Sequence, residues 1–290
     1  MFKKIIATTA MIATVTGFTC TIDGTQGIVP ENNLWISTTA KSKNSMDEKT
    51  FNTVIDKVEA VYDSVVTAEG GNLNVERNWN DGTVNAYASR TGDTWNVAMF
   101  GGLARHEAVT PDGFALVVCH ELGHHIGGAP KKGSWFSTIK WASNEGQSDY
   151  FATLKCLRKV FRNDNNEAIV SKLNVPAAVV TKCAEQFSDN EEQLICQRGS
   201  MAGLSTAKLF QSLRGSSTAP EFTTPDTKVV RKTDHNHPAT QCRLDTYFHG
   251  ALCTVSDMVD VDQKDEAAGV CYRDSGDTIG VRPLCWFKAD

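Results

Sequence analysis

The run His120-Glu121-Leu122-Gly123-His124 has the residue types and spacing of a metal site. In a helix, positions four apart lie one above the other on one face, so both imidazoles of an H-E-x-x-H motif reach a single ion. Glu121 is one step around, placed to take a proton from a water activated by that ion. A catalytic zinc needs a third protein ligand and an open position. The expectation is therefore one Zn2+ per chain, with Glu121 as general base.

The third ligand narrows the choice. In metzincins it comes six residues after the second histidine; here that position is Pro130, which has no donor. A glutamate from a following helix is the gluzincin solution, and Asn144-Glu145-Gly146-Gln147-Ser148-Asp149 supplies Glu145, 21 residues beyond His124 (145 − 124). Glu145 and Asp149 share one helical face and would repel unless they met cations. Zinc on Glu145, with Asp149 accepting the outer N–H of a ligand histidine, resolves that conflict. His125 points about 100° away on the helix and reads as a neighbour. His106 reads as a surface residue, and Cys119 as a disulfide partner rather than a fourth ligand.

The elements that must hold these residues are legible in outline. Ser45-Met46-Asp47-Glu48 has capping-box form, and Phe51, Val54, Ile55, Val58, Val61 and Tyr62 follow at helical spacing. The helix should end near Gly70-Gly71. From about Leu73 to Phe100 the texture is that of strands, with a turn at Thr91-Gly92-Asp93 and Trp95, Val97 and Met99 in alternation. Thr110-Pro111 opens a helix to about His125, which Gly127-Gly128 and Pro130 stop. Further helices are expected over about 143–161, 176–187, 190–214 and 238–255. The Ser/Thr/Pro-rich stretch 215–237 is the candidate mobile loop: a lid, an inhibitory segment or a connector.

The chain has 290 residues, and its start resembles an export signal. Met1-Phe2-Lys3-Lys4 precedes an apolar run to about Phe18, too short to span a bilayer. Residues 1–20 are read as a signal peptide, 21–44 as a polar linker and 45–290 as one domain. The mature protein is expected to be periplasmic or secreted, with lipid attachment at Cys20 the less favoured alternative. It should be soluble, since no other apolar run is long enough to cross a membrane. The net charge of −5 argues against nucleic acid as a partner. Beyond Cys20 there are eight cysteines, and an even number in an exported chain reads as disulfides. Eight allow 105 pairings. Sequence proximity suggests Cys183–Cys196, Cys242–Cys253 and Cys271–Cys285, leaving Cys119–Cys156.

Taken together, His120, His124, Glu145, Ser148 and Asp149 resemble the gluzincin pattern of thermolysin-like enzymes. A wider match, over about residues 84–250, is to the HtpX and CaaX-prenyl-protease type of metallopeptidase. It runs through Val84-Asn85-Ala86-Tyr87-Ala88, the strand from Trp95 to Gly101-Gly102-Leu103, the helix Asp112 to His124, Glu145 to Asp149, and His237-Pro238 with Arg243-Leu244. The resemblance implies an α+β, zincin-like fold: a small antiparallel sheet over the active-site helix, with a helical C-terminal part stapled by disulfides. It also places His237 and Arg243 near the catalytic centre. His237 would donate to the oxyanion of a tetrahedral intermediate or fill the open zinc position in a latent form. Arg243 would point at the oxyanion, Tyr150 is a second candidate for that role or a packing residue, and His235 flanks the same loop. The function so implied is an exported zinc endopeptidase acting on protein or peptide substrates, with an extended peptide along the strand Trp95–Phe100 as the sheet edge. The rival is a non-catalytic zincin-fold binding or chaperone module with a structural zinc, which would not need Glu121. Zinc hydrolysis of something other than a peptide also stays open, as does the oligomeric state.

Overall fold

The computed structural model describes residues 27–40, 44–133 and 140–288. The expected signal peptide, with Cys20, and residues 21–26 and 41–43 of the expected linker lie outside the described residues. The chain forms an α+β fold in which a three-stranded sheet packs against helices. Helix α1 (Glu48–Ala68) begins at Asp47, whose side chain accepts from Thr50 N, and buries Phe51, Val54, Ile55, Val58, Tyr62 and Val66. Strands β1 (Asn72–Asn78), β2 (Ala86–Thr91) and β3 (Thr94–Phe100) follow. Gly92, at φ 58°, makes the two-residue turn between β2 and β3, a backbone state that glycine adopts at no steric cost. Trp95, Val97 and Met99 alternate inward on β3, as the sequence pattern requires.

The sheet differs from the expectation in two ways. Its order is β1-β3-β2, with β3 parallel to β1 and antiparallel to β2, so it is mixed rather than antiparallel. Strand β3 is therefore central and paired on both sides, and Trp95–Phe100 is not a sheet edge. The side of β2 away from β3 is the edge beside residues 28–36. Ile28 N donates to Ala86 O, Asn32 Nδ2 to Val84 O and Ile36 N to Gly82 O, while Trp35 bridges Thr83 in antiparallel sense. Gly27, Ile28 and Val29 are buried, so this part of the expected linker is packed into the domain.

After a short turn of helix, α2 (Gly101–Arg105), comes α3 (Pro111–Ile126). Thr110 accepts from Gly113 N as its cap, and Pro111 occupies the first turn, where a missing N–H costs nothing. Every residue of α3 from Gly113 onward is buried, the state expected of a helix that is apolar nearly all round. The expected helix 143–161 is a continuous run made of α4 (Glu145–Phe151), a π turn (Ala152–Cys156) and α5 (Leu157–Phe161). Helices α6 (Asn166–Val170), α7 (Ala177–Gln186), α8 (Asn190–Arg214) and α9 (Thr240–Leu252) complete the C-terminal part. Residues 215–239 contain no helix or strand but are tied down: Val230 N donates to Leu284 O, Asp234 N to Trp286 O and Asp226 N to Asp245 Oδ2. Among the described residues, no helix is long and apolar enough to cross a membrane.

Four disulfides join Cys119 to Cys156, Cys183 to Cys196, Cys242 to Cys285 and Cys253 to Cys271. The first two match the expectation, and the pairing of the last four cysteines overturns it. The reason is α9. A helix rises 1.5 Å per residue, so Cys242 and Cys253 stand roughly 16 Å apart, far beyond the ~7 Å Cα separation that a disulfide tolerates. Each instead captures the C-terminal tail, which is laid across α4 with Trp286 against Gly146, where a Cβ would leave no room for the indole. Peptide mapping of the unreduced mature protein should recover the 242–285 and 253–271 links and no free thiol among the eight. A 242–253 link would contradict this packing.

Candidate functional site

Helix α3 carries His120, Glu121 and His124, and α4 carries Glu145, Ser148 and Asp149. The two helices cross closely at Gly123: a Cβ there would stand 3.1–3.2 Å from the Phe151 ring and the Ser148 backbone. The loop between them returns through Ser143, whose N donates to His124 O, and Asn144 caps α4 by accepting from Gln147 N. This return brings Glu145 to the histidines. His120 Nε2 lies 3.3 Å from Glu145 Oε2 and His124 Nε2 3.8 Å from Glu145 Oε1. One donor atom from each of the three residues lies within 4.8 Å of the others, and all three residues are fully buried.

The outer nitrogens are oriented. His120 Nδ1 lies 2.7 Å from Asp149 Oδ1, and His124 Nδ1 donates to Ser143 O at 2.8 Å, with Ser148 Oγ at 3.0 Å. The Nδ1 atoms thus face Asp149 and the Ser143 carbonyl, and the Nε2 atoms face the space between the two helices. His120 Nε2, His124 Nε2, Glu145 Oε2 and both Glu121 carboxylate oxygens are buried, and among the described residues none has a hydrogen-bond partner. Buried polar atoms are nearly always partnered, so such a cluster asks for a bound group. Two imidazoles and a carboxylate are a donor set that suits zinc.

The electrostatics are strongly coupled. Burial disfavours the charged form of His120, yet Asp149 and Glu145 outweigh it and lift its pKa to about 9. Burial raises Glu121 to about 8, opposed by His120 and reinforced by Glu145. For Glu145 burial works upward, but His124, Lys132 and its contacts with His120 and His237 hold it well below the usual carboxylate range. Burial drives His124 well below the ordinary histidine value.

The remaining candidates fall into place as follows. Arg243, on α9, is paired with Asp149 and with the backbone of Ile28. Its Nε and Nη2 donate to the two oxygens of Asp149 at 2.7 and 2.6 Å, and its Nη1 donates to Ile28 O. It is a positioning residue for Asp149, and Tyr247 Oη donates to the same carboxylate at 2.7 Å. Tyr150 Oη donates to Gly280 O and serves packing. His125 is stacked between Trp95 and Trp141, and burial takes its pKa down to about 3. His106, expected at the surface, is buried beside Ser212. His235 lies 3.3 Å from the side chain of Asn144. His237 does reach the site: its Nε2 is 3.2 Å from Glu145 Oε2 and donates to Gly27 O at 2.8 Å.

Sequence reasoning missed Lys132 and Tyr247. Lys132 Nζ lies 2.6 Å from Glu145 Oε1, so a metal taken up by the triad competes with it for that oxygen. No periodicity marks Lys132. Tyr247 stands four residues after Arg243 on one helical face, which was the available signal. No protein-family profile matches the chain, and no curated protein or solved structure matches it either.

Proposed function

We propose that the protein is an exported zinc-dependent endopeptidase of the gluzincin kind, with a zincin-like arrangement of sheet and active-site helix. The observation that carries this reading is the buried set of His120 Nε2, His124 Nε2 and Glu145 Oε2 beside a Glu121 carboxylate that has no hydrogen-bond partner among the described residues. His120, His124 and Glu145 would hold the metal. Zinc there supplies Lewis acidity and brings the pKa of water toward neutrality.

The protein's own groups do the rest. Glu121 accepts a proton from the attacking water and passes it to the leaving amine. His237 Nε2–H donates to the carbonyl oxygen of the bond being cut, where negative charge develops. Asp149 holds His120 in the tautomer that presents Nε2 inward, and Arg243 and Tyr247 hold Asp149. The edge beside Asn85-Ala86, where the Ala86 carbonyl and the Asn85 carboxamide bond Ile28 and Val29, would take an extended substrate backbone in their place. Four disulfides support an oxidising compartment and hence export.

Incubation of the purified protein with a peptide library tests the reading. Internal bonds should be cut, cutting should stop when a chelator strips the metal, and added Zn2+ should restore it. Hydrolysis that ignores the chelator, or none from zinc-loaded protein, would overturn it.

A further inference from the structure

Resting on the peptidase reading, we infer that Gly27–Ile28 is a self-cleavage bond and that the chain trims its own N-terminus to Ile28. Residues 27–29 lie along the β2 edge in the extended form a peptide substrate would take. Ile28 N donates to Ala86 O at 3.0 Å, and Arg243 Nη1 donates to Ile28 O at 2.7 Å. Val29 is held from both sides by one side chain: its N donates to Asn85 Oδ1, and Asn85 Nδ2 donates to its carbonyl. This is strand addition to a sheet edge, performed by the chain on itself.

The register of that addition decides which bond is presented. Gly27 O accepts from His237 Nε2 at 2.8 Å, and the same nitrogen is 3.2 Å from Glu145 Oε2, a donor of the triad. Among the carbonyls of residues 27–29, that of Gly27 meets a side chain in direct contact with a triad residue, whereas Arg243, which holds the Ile28 carbonyl, reaches His120 through Asp149. The carbonyls of Ile28 and Val29 are spoken for by Arg243 and Asn85. Glycine at 27 is also required by space, because a Cβ there would overlap the Asn85 carboxamide. Ile28 and Val29 are buried with the main apolar core, so an apolar β-branched residue suits the position after the cut bond.

The chemistry is ordinary hydrolysis. A water oxygen bonds to the Gly27 carbonyl carbon, and the bond from that carbon to Ile28 N breaks. Both protons of the water end on the Ile28 nitrogen, the first carried there through Glu121 as the bond breaks and the second given up by the new Gly27 carboxyl group. The products are a carboxylate on Gly27 and an ammonium on Ile28, and no other reactant is consumed. Added peptides compete with Ile28 and Val29 for the same sheet edge.

The test follows the full chain, its Glu121→Gln variant and its Gly27→Val variant by intact mass and N-terminal sequencing after Zn2+ is added. Each sample is also given a peptide library. Wild type should convert to a form beginning at Ile28, with a first-order rate independent of protein concentration. Glu121→Gln should slow this conversion by roughly 10²–10⁴-fold. Gly27→Val should slow it by about tenfold or more while still cutting added peptides, since the clash is confined to the segment. A readout that needs neither metal nor turnover is amide exchange in metal-free Glu121→Gln protein. The Ile28 and Val29 amides should be protected there, and should lose that protection when Gly27→Val is added. The inference is overturned if wild type cuts added peptides but leaves Gly27–Ile28 whole, if Glu121→Gln acquires the Ile28 terminus as fast as wild type, or if those amides exchange freely. Failure to cut added peptides in every form would overturn the peptidase reading along with it.

Discussion

Replacing Glu121 by glutamine should lower kcat/KM for peptide hydrolysis by roughly 10²–10⁴-fold while leaving zinc in place. Glutamine keeps the size and shape of the side chain but cannot accept a proton. Neither carboxylate oxygen of Glu121 has a hydrogen-bond partner among the described residues, so the exchange breaks no hydrogen bond of the fold. The metal ligands are other residues, so occupancy should not follow the loss of rate. In the metal-free site burial holds the Glu121 pKa at about 8, and a dication placed beside it pulls that value down. The carboxylate is thus in its basic form when the site is loaded. Steady-state kinetics with metal analysis of the same samples checks this. A variant that keeps its rate within a few-fold would remove Glu121 from the mechanism.

The largest effect on stability should come from Arg243. Its guanidinium and the Asp149 carboxylate are both fully buried and paired through two hydrogen bonds. Burial works against the charge on Arg243, and Asp149 outweighs it; the same pairing keeps Asp149 below its ordinary value. Among the described residues, Arg243→Met leaves the buried carboxylate with Tyr247 and His120 as its side-chain partners. Breaking such a pair from one side costs about 3–5 kcal/mol. For a domain of this size that lowers Tm by about 6–20 °C. The melts should be run with chelator present, so that metal binding does not contribute to the difference. Combining Arg243→Met with Asp149→Leu should recover much of the loss, because an apolar pair of similar volume carries no buried charge. A single variant that melts within 2 °C of wild type would show that the pair is not holding α4 to α9.

What the sequence revealed, and what it hid, follows the range of the forces involved. The H-E-x-x-H helix, the Thr110-Pro111 start, the Gly92 turn and the inward alternation of Trp95, Val97 and Met99 depend on neighbours within a turn or two, so local spacing records them. Glu145 was legible because the acidic pair with Asp149 had to meet cations. Parallel pairing of β1 with β3 joins residues far apart in the chain, and strand periodicity says nothing about partners. The exchange of partners among Cys242, Cys253, Cys271 and Cys285 has the same origin, since a rigid helix separates the nearest neighbours. Residues 27–29 were masked by the polar texture around them: Gly27, Ile28 and Val29 are three residues in a Thr/Asn/Ser-rich stretch, and their burial comes from a sheet edge encoded almost sixty positions later. Arg243 illustrates the opposite hazard: it is expected to face an oxyanion, and its guanidinium is paired with Asp149.

The proposed activity depends on a metal held by three residues, and metal content read against the third of them tests that most directly. Purified wild-type protein should hold about one zinc per chain, and Glu145→Ala should hold little or none. Lys132→Ala, which removes the competing cation from Glu145 without touching a ligand, should retain it. A Glu145→Ala protein that keeps its full zinc would contradict the proposed site.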